Sequence, residues 1–139
     1  MSTTEQLKAG DTFVHRFSFS QDDVVAFAEV SGDKNPVHLD PEYAAQTMFK
    51  QPIMHGFLGA SVFSKVFGTL FPGEGTIYLK QELSFLRPMT VDTEYEATFT
   101  VQEVNPERHR GIIASEIKDI AKDKITLRGV AELMNNNRF

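Results

Sequence analysis

Between Gly56 and Phe71 nearly every residue is apolar or small, and Phe57, Leu58, Val62, Phe63, Val66, Phe67, Leu70 and Phe71 would cover almost every side of a helix. A helix that is apolar all round belongs in an interior, so the rest of the chain must enclose this segment. At 1.5 Å per residue it would run about 24 Å, long enough to be wrapped by a sheet. Pro72-Gly73-Glu74-Gly75 has the composition of a turn and ends it. Beyond that point the apolar period changes to two: Ile77, Leu79, Leu83 and Phe85, then Tyr95, Ala97, Phe99 and Val101, then Ile113, Ser115 and Ile117, then Ile125, Leu127, Ala131 and Leu133. Arg87-Pro88, Asn105-Pro106 and Lys122-Asp123 separate the runs. Four consecutive strands after one buried helix predict an α+β domain with an antiparallel sheet packed on that helix.

Upstream, Thr12 to Phe19 alternates as a half-buried strand, with Phe13, His15, Phe17 and Phe19 on one side. Ser20 is a helix N-cap, followed by Asp22 and Asp23 where negative charge favours the first turn, and the helix should reach about Ser31. Asp40-Pro41-Glu42 is a second start signal, predicting a short helix from Tyr43 to about Thr47 and a structural role for Asp40. Between the two lies Gly32-Asp33-Lys34-Asn35-Pro36-Val37-His38. Gly32 is a natural helix stop and Pro36 disfavours the α region at Asn35, so a non-helical segment is expected, holding Asp33 and His38 on one stiff turn. Asn35 should fix that turn by bonding to local backbone. A carboxylate and an imidazole so placed can hold, deprotonate and reprotonate one water molecule, the requirement for adding or removing water across a double bond.

The 139 residues, 41% of them hydrophobic, predict one domain over 1–139 with its core in about 10–133. Cysteine is absent, which excludes disulfides, thiolate nucleophiles and cysteine zinc sites and leaves His and carboxylates for chemistry. A net charge of −5 argues against a nucleic-acid partner, although a small anionic ligand needs only two or three local cations. No apolar run approaches the roughly 20 residues of a membrane span, and Met-Ser-Thr-Thr-Glu-Gln does not look like a signal peptide, so a cytoplasmic location without membrane partners is expected. Twelve phenylalanines and no tryptophan indicate an aromatic interior. The polar Asn135-Asn136-Asn137 tail is expected to fray.

The run Phe27 to Ala45, with Ser31-Gly32-Asp33, Asn35-Pro36, His38 and Ala44-Ala45, closely resembles the hydratase 2 motif of (R)-specific enoyl-CoA hydratases and MaoC-like dehydratases. Pro52-Ile53-Met54-His55-Gly56, the apolar helix with Ser61 and Ser64, Gly75-Thr76-Ile77-Tyr78-Leu79 and Leu83-Ser84-Phe85-Leu86-Arg87-Pro88 resemble the same family in the same order. The resemblance implies a hot-dog fold, an antiparallel sheet wrapped around a long central helix, assembled as a homodimer with acyl-thioester sites near the interface. The implied activity is syn hydration of a trans-2-enoyl thioester to the (3R)-3-hydroxyacyl thioester, or its reversal. No cofactor is implied.

Asp33 and His38 align with the family's catalytic pair: Asp33 is assigned mainly to activating water, His38 to positioning it and returning a proton to C2. Gly56 starts the buried helix, where free N–H groups can stabilise charge on a thioester oxygen; alternatively it only lets the chain turn into the helix. By resemblance Ser64 would orient Asp33, the ordinary alternative being a bond to the carbonyl four residues earlier. His55 fits the family pattern but is read as a packed residue outside the catalytic set. Asp33, His38, Asp40 and His55 show no compact ligand spacing, and no metal is predicted. Lys80, Arg87 and Lys65 are candidate cations for the thioester's carrier arm by type alone. The absence of a basic run favours acyl-CoA over acyl carrier protein. A hot-dog thioesterase and a non-catalytic acyl-thioester-binding domain are the competing functions.

Overall fold

The computed structural model describes residues 5–139. Met1–Thr4, included in the expected 1–139 domain and in the start read as lacking a leader, lie outside the described residues. The order of elements is β1 (Thr12–Phe17), α1 (Gln21–Ser31), α2 (Pro36–Leu39), α3 (Pro41–Ala45), α4 (Gly56–Thr69), β2 (Ile77–Phe85), β3 (Tyr95–Asn105), a 3-10 turn at Pro106–Arg108, β4 (Arg110–Asp119) and β5 (Lys124–Met134). All five strands join one antiparallel sheet in the order β1-β3-β4-β5-β2. Among the described residues no helix is long and apolar enough to cross a membrane.

The period-two runs set the register. Tyr95, Ala97, Phe99 and Val101 are buried along β3, and Ile113, Ser115 and Ile117 along β4. Phe99 pairs with Ser115, and Ile117 with Leu127, which keeps the apolar residues on one face. Against that face lies α4. The rings of Phe63 and Phe67 meet Phe99 edge-on, at 5.7 and 5.4 Å between centroids. Phe13 of β1 and Phe71, just beyond α4, stack at 5.4 Å on the same core.

Enclosure of α4 on every side does not occur within one chain. Leu58, Gly59, Val62, Phe63, Val66 and Phe67 are buried, whereas Phe57, Ser61, Ser64, Lys65 and Gly68 are exposed. The buried positions recur every three to four residues, so the helix offers a stripe to the sheet and leaves the opposite face open. That open face is continuous with β2, an edge strand on which Ile77, Tyr78, Leu79 and Phe85 are all exposed.

The C-terminal tail is also ordered rather than frayed. Asn135 is buried, donating through Nδ2 to Glu74 O (3.1 Å) and Thr76 Oγ1 (3.0 Å), while its Oδ1 accepts from the amides of Asn137 and Arg138. The Phe139 ring, also buried, lies over Gly111, where a Cβ would come within 2.4 Å of it. A polar tripeptide is therefore held by what it bonds and by the ring that follows. Phe139→Ala is expected to lower unfolding stability by about 3 kcal/mol, the usual cost of truncating a buried phenylalanine; a change in urea midpoint corresponding to under about 1 kcal/mol would show that the ring is not part of the core.

Candidate active site

The chain between α1 and α4 is built from caps. Ser20 and Asp23 form a capping box at the start of α1, and Gly32 ends that helix in the left-handed region at φ 81°. Asn35 has a non-helical backbone, as a residue before proline should, and its Oδ1 accepts from Val37 N at 3.2 Å. Here the structure corrects the expectation of a wholly non-helical segment: Pro36 occupies the first position of α2, and His38 lies on that short helix. The proline that blocks the α region at Asn35 is itself preorganised to start a helix. Asp40 then ends α2 and caps α3, accepting from the amides of Glu42 and Tyr43.

His38 is buried and its Nδ1 lies 2.8 Å from Ile53 O. A carbonyl only accepts, so Nδ1 carries the proton and Nε2 is the ring atom left to exchange one. Asp33 is exposed; its Oδ1 accepts from Asn35 N at 3.3 Å and its backbone oxygen faces His55 Nε2 at 2.9 Å. Ligand atoms of Asp33, His38 and His55 lie within 4.8 Å of one another. Two hydrogen bonds of about 2.8 Å meeting at one water oxygen span about 4.5 Å, so an Asp33 carboxylate and a His38 ring nitrogen this close can share a water.

The spacing in the chain gave no hint that His55 would join the pair. A signal was available in Pro52-Ile53-Met54-His55-Gly56, because a histidine immediately before a buried helix must follow that helix into the interior. The three residues do form a group of metal-ligand types. However, the His38 and His55 rings stack 3.9 Å apart and 32° from parallel, and one nitrogen of each is engaged with a carbonyl. That leaves His38 Nε2 and His55 Nδ1 as the ring nitrogens not so engaged.

Gly56 opens α4 beside His38. Neither Gly56 N nor Phe57 N has an acceptor among the described residues, and His55 supplies no side-chain cap. His38, Gly56, Phe57, Ile53, Phe85 and Met89 line a cavity of about 440 Å³, within the size range of small-ligand sites. Free helix N–H groups pointing towards such a space can polarise a carbonyl oxygen. A Cβ at Gly56 would come within 2.6 Å of the Phe85 ring, so glycine keeps that ring close to the backbone.

Ser64 is not brought to Asp33 within the chain. It is exposed, and its hydroxyl has no hydrogen bond among the described residues; Ser61 and Thr69 are the helix residues that bond back, to Leu58 O and Lys65 O. Ser64 lines a second cavity of about 700 Å³ with Ser61, Tyr78, Leu79 and Lys80, and the Phe57 and Phe85 rings, 5.6 Å apart, border both cavities. The reason is helical phase: Ser64 follows the buried Phe63 and falls on the open face of α4.

Of the candidate cations, Arg87 lines the His38 cavity, with Nη1 donating to Ile125 O at 2.6 Å. Lys80 is 4.0 Å from Glu82. Lys65 Nζ is 3.2 Å from His15 Nε2, and burial together with the Lys65 charge holds the His15 pKa below its usual value.

A sheet packed on one helix, with His38 and free helix N–H groups at a cavity and Asp33 close to His38, defines a hot-dog enzyme that can move water at an activated carbon. Residues 4–124 match the family described as MaoC like domain. The chain is 39% identical over 127 residues to a 3-hydroxybutyryl-CoA dehydratase of Methylorubrum extorquens, covering 91% of this chain and 80% of that protein. It is 43% identical over 99 residues to an (R)-specific enoyl-CoA hydratase of Aeromonas caviae, covering 71% and 74%. The solved structure of an (R)-hydratase from A. caviae involved in PHA biosynthesis superposes with a TM-score of 0.88 at 36% identity, covering 93% of this chain and 97% of that one. The chain belongs to the MaoC-like dehydratase family, enzymes of the hydratase and dehydratase (hydro-lyase) class that act on acyl thioesters.

Gly56→Ala tests the cavity. The better helix propensity of alanine, worth up to about 1 kcal/mol, offsets displacement of a half-exposed Phe85 ring, so the melting temperature should hold while hydration kcat/KM falls. Unchanged kcat/KM would show that close approach to Gly56 is not needed.

Proposed function

We propose that this chain catalyses (R)-specific hydration of trans-2-enoyl-CoA to (3R)-3-hydroxyacyl-CoA, and the reverse dehydration, with Asp33 and His38 as the catalytic residues in a single hot-dog domain. The observation that carries the reading is that His38 and the unpaired Gly56 N–H share one cavity while the exposed Asp33 lies close enough to His38 for the two to share a water. Water donates to the Asp33 carboxylate and is held by His38 Nε2. As Asp33 takes its proton, the oxygen bonds to C3 and the C2–C3 π pair moves towards the thioester carbonyl. The enolate oxygen is held by Gly56 N–H. The proton taken by Asp33 passes to the vacant His38 Nε2 and from there to C2 on the same face, which leaves both residues as they began. The sum is one water added, OH on C3 and H on C2.

Coenzyme A is favoured over a carrier protein as the thioester's carrier. The chain has a net charge of −5 and no basic run to dock an acidic protein, whereas Arg87 at the cavity supplies a single cation of the kind a nucleotide phosphate uses. The names of the Methylorubrum and Aeromonas relatives point the same way. A homodimer is part of the proposal. The open face of α4, exposed apolar residues on β2 and the unpaired edge of that strand form one continuous surface that a second copy would cover. Such a copy would also enclose the Ser64 hydroxyl, and Ser64 supports the site in that arrangement.

Purified protein should remove the conjugated enoyl absorbance of crotonyl-CoA, and Asp33→Asn and His38→Ala should each lower kcat by about 10²- to 10⁴-fold. Full turnover in either variant would overturn the mechanism; release of free thiol without hydroxyacyl product would indicate a thioesterase instead. In sedimentation the protein should run at twice its 15.6 kDa chain mass, and Leu79→Glu should shift it towards monomer. A monomeric wild type would remove the dimer and the role of Ser64 with it.

A further inference from the structure

We infer that His55 is a positioning residue that holds both members of the Asp33/His38 pair through a fixed tautomer, an inference that rests on the hydratase reading above. Its Nε2 lies 2.9 Å from the Asp33 carbonyl oxygen, and a carbonyl can only accept, so Nε2 carries the proton and donates it to the backbone of Asp33. The face of the same ring lies against His38, centroids 3.9 Å apart, and Phe27 of α1 is 4.8 Å from it. One imidazole thus fixes the height of the Asp33 backbone and the plane of the His38 ring.

The other nitrogen makes the case stronger. His55 is buried, and its Nδ1 has no hydrogen-bond partner among the described residues. An unpaired buried acceptor costs stability, and an aliphatic side chain would fill this volume without it. What an aliphatic side chain cannot supply is an N–H for Asp33. His38 is held in the opposite sense, with the proton on Nδ1 for Ile53. Opposite tautomers on stacked rings keep His38 Nε2 free for the reacting water and direct the His55 proton to the loop that carries the carboxylate.

Two substitutions separate holding from filling. His55→Leu keeps the bulk and removes the donor; His55→Gln places an amide N–H near the former Nε2. With crotonyl-CoA, His55→Leu should lose on the order of 100-fold in kcat, as expected for a misplaced catalytic group, with KM changed far less, and His55→Gln should recover most of that loss. A loss of under about tenfold in His55→Leu, or His55→Gln no faster than His55→Leu, overturns the inference. If His55→Leu does not fold, the wild type decides: long-range proton–nitrogen correlation spectra of the four histidines should show His55 as the Nε2–H tautomer and His38 as Nδ1–H, and the reverse at His55 refutes the clamp. Because those spectra need no turnover, an inactive wild type would fault the hydratase reading and leave the tautomer test standing.

Discussion

The contact on which everything else rests is the packing of Phe63 and Phe67 of α4 onto Phe99 of β3. Each buried phenylalanine contributes roughly 1.5–3 kcal/mol from area alone, and edge-on ring pairs add about 0.5–1.5 kcal/mol more. These rings fix where α4 lies over the sheet, and the start of α4 is where Gly56 and His55 sit. Met54 N donates to Met89 O at 2.8 Å, tying the entry of the helix to the segment between β2 and β3. The position of the Gly56 N–H is thus a consequence of core packing two and three turns away. Loosening the core would misplace the site before it unfolded the chain.

Much of this was legible because it depends on short-range rules. The strands were readable from period two, since burial on one face of a sheet demands it, and Tyr95 to Val101 follows it without exception. Ser20, Gly32, Asn35 and Asp40 announced their roles because a cap is decided by a side chain and the backbone two or three residues on. Failures occurred where a residue does two things, or where a partner is distant in the chain. Pro36 both excludes the α region before it and begins a helix after it, and only the first was anticipated. The Asn135-Asn136-Asn137 run reads as polar and loose because the partners of Asn135, Glu74 and Thr76, are far away in sequence. For α4, abundance of apolar residues hid the stripe: Phe57 and Leu70 look as suited to an interior as Phe63, and only the sheet's one-sided contact separates them. Ser64 lies on that same open face, away from Asp33 of its own chain.

His55 is packed and hydrogen-bonded, as a histidine entering a buried helix should be, but the chain does not reveal its acceptor. Nothing in composition tells a histidine that fills space from one that donates to a loop twenty-two residues away. The distinction needs the acceptor, and here the acceptor is a main-chain oxygen, invisible to any pattern of side chains.

That reliance on main-chain oxygens shapes the chemistry. Residues 33–38 and 53–55 are laced by three bonds: His38 Nδ1 to Ile53 O, Ile53 N to Val37 O at 3.2 Å, and His55 Nε2 to Asp33 O. Each such bond contributes only about 0.5–1.5 kcal/mol net, too little for any one to define the site. Together they specify position without using the Asp33 carboxylate or His38 Nε2. Had a direct bond between carboxylate and imidazole held the pair together, the two groups would have satisfied each other and presented nothing to water. Pinning them from behind, through backbone and through a third ring, leaves two proton-accepting heads close together and free to meet one water. For a reaction whose co-substrate is water itself, that is the feature the loop must preserve, and it explains why an exposed aspartate on a capped turn can still be held at a fixed place.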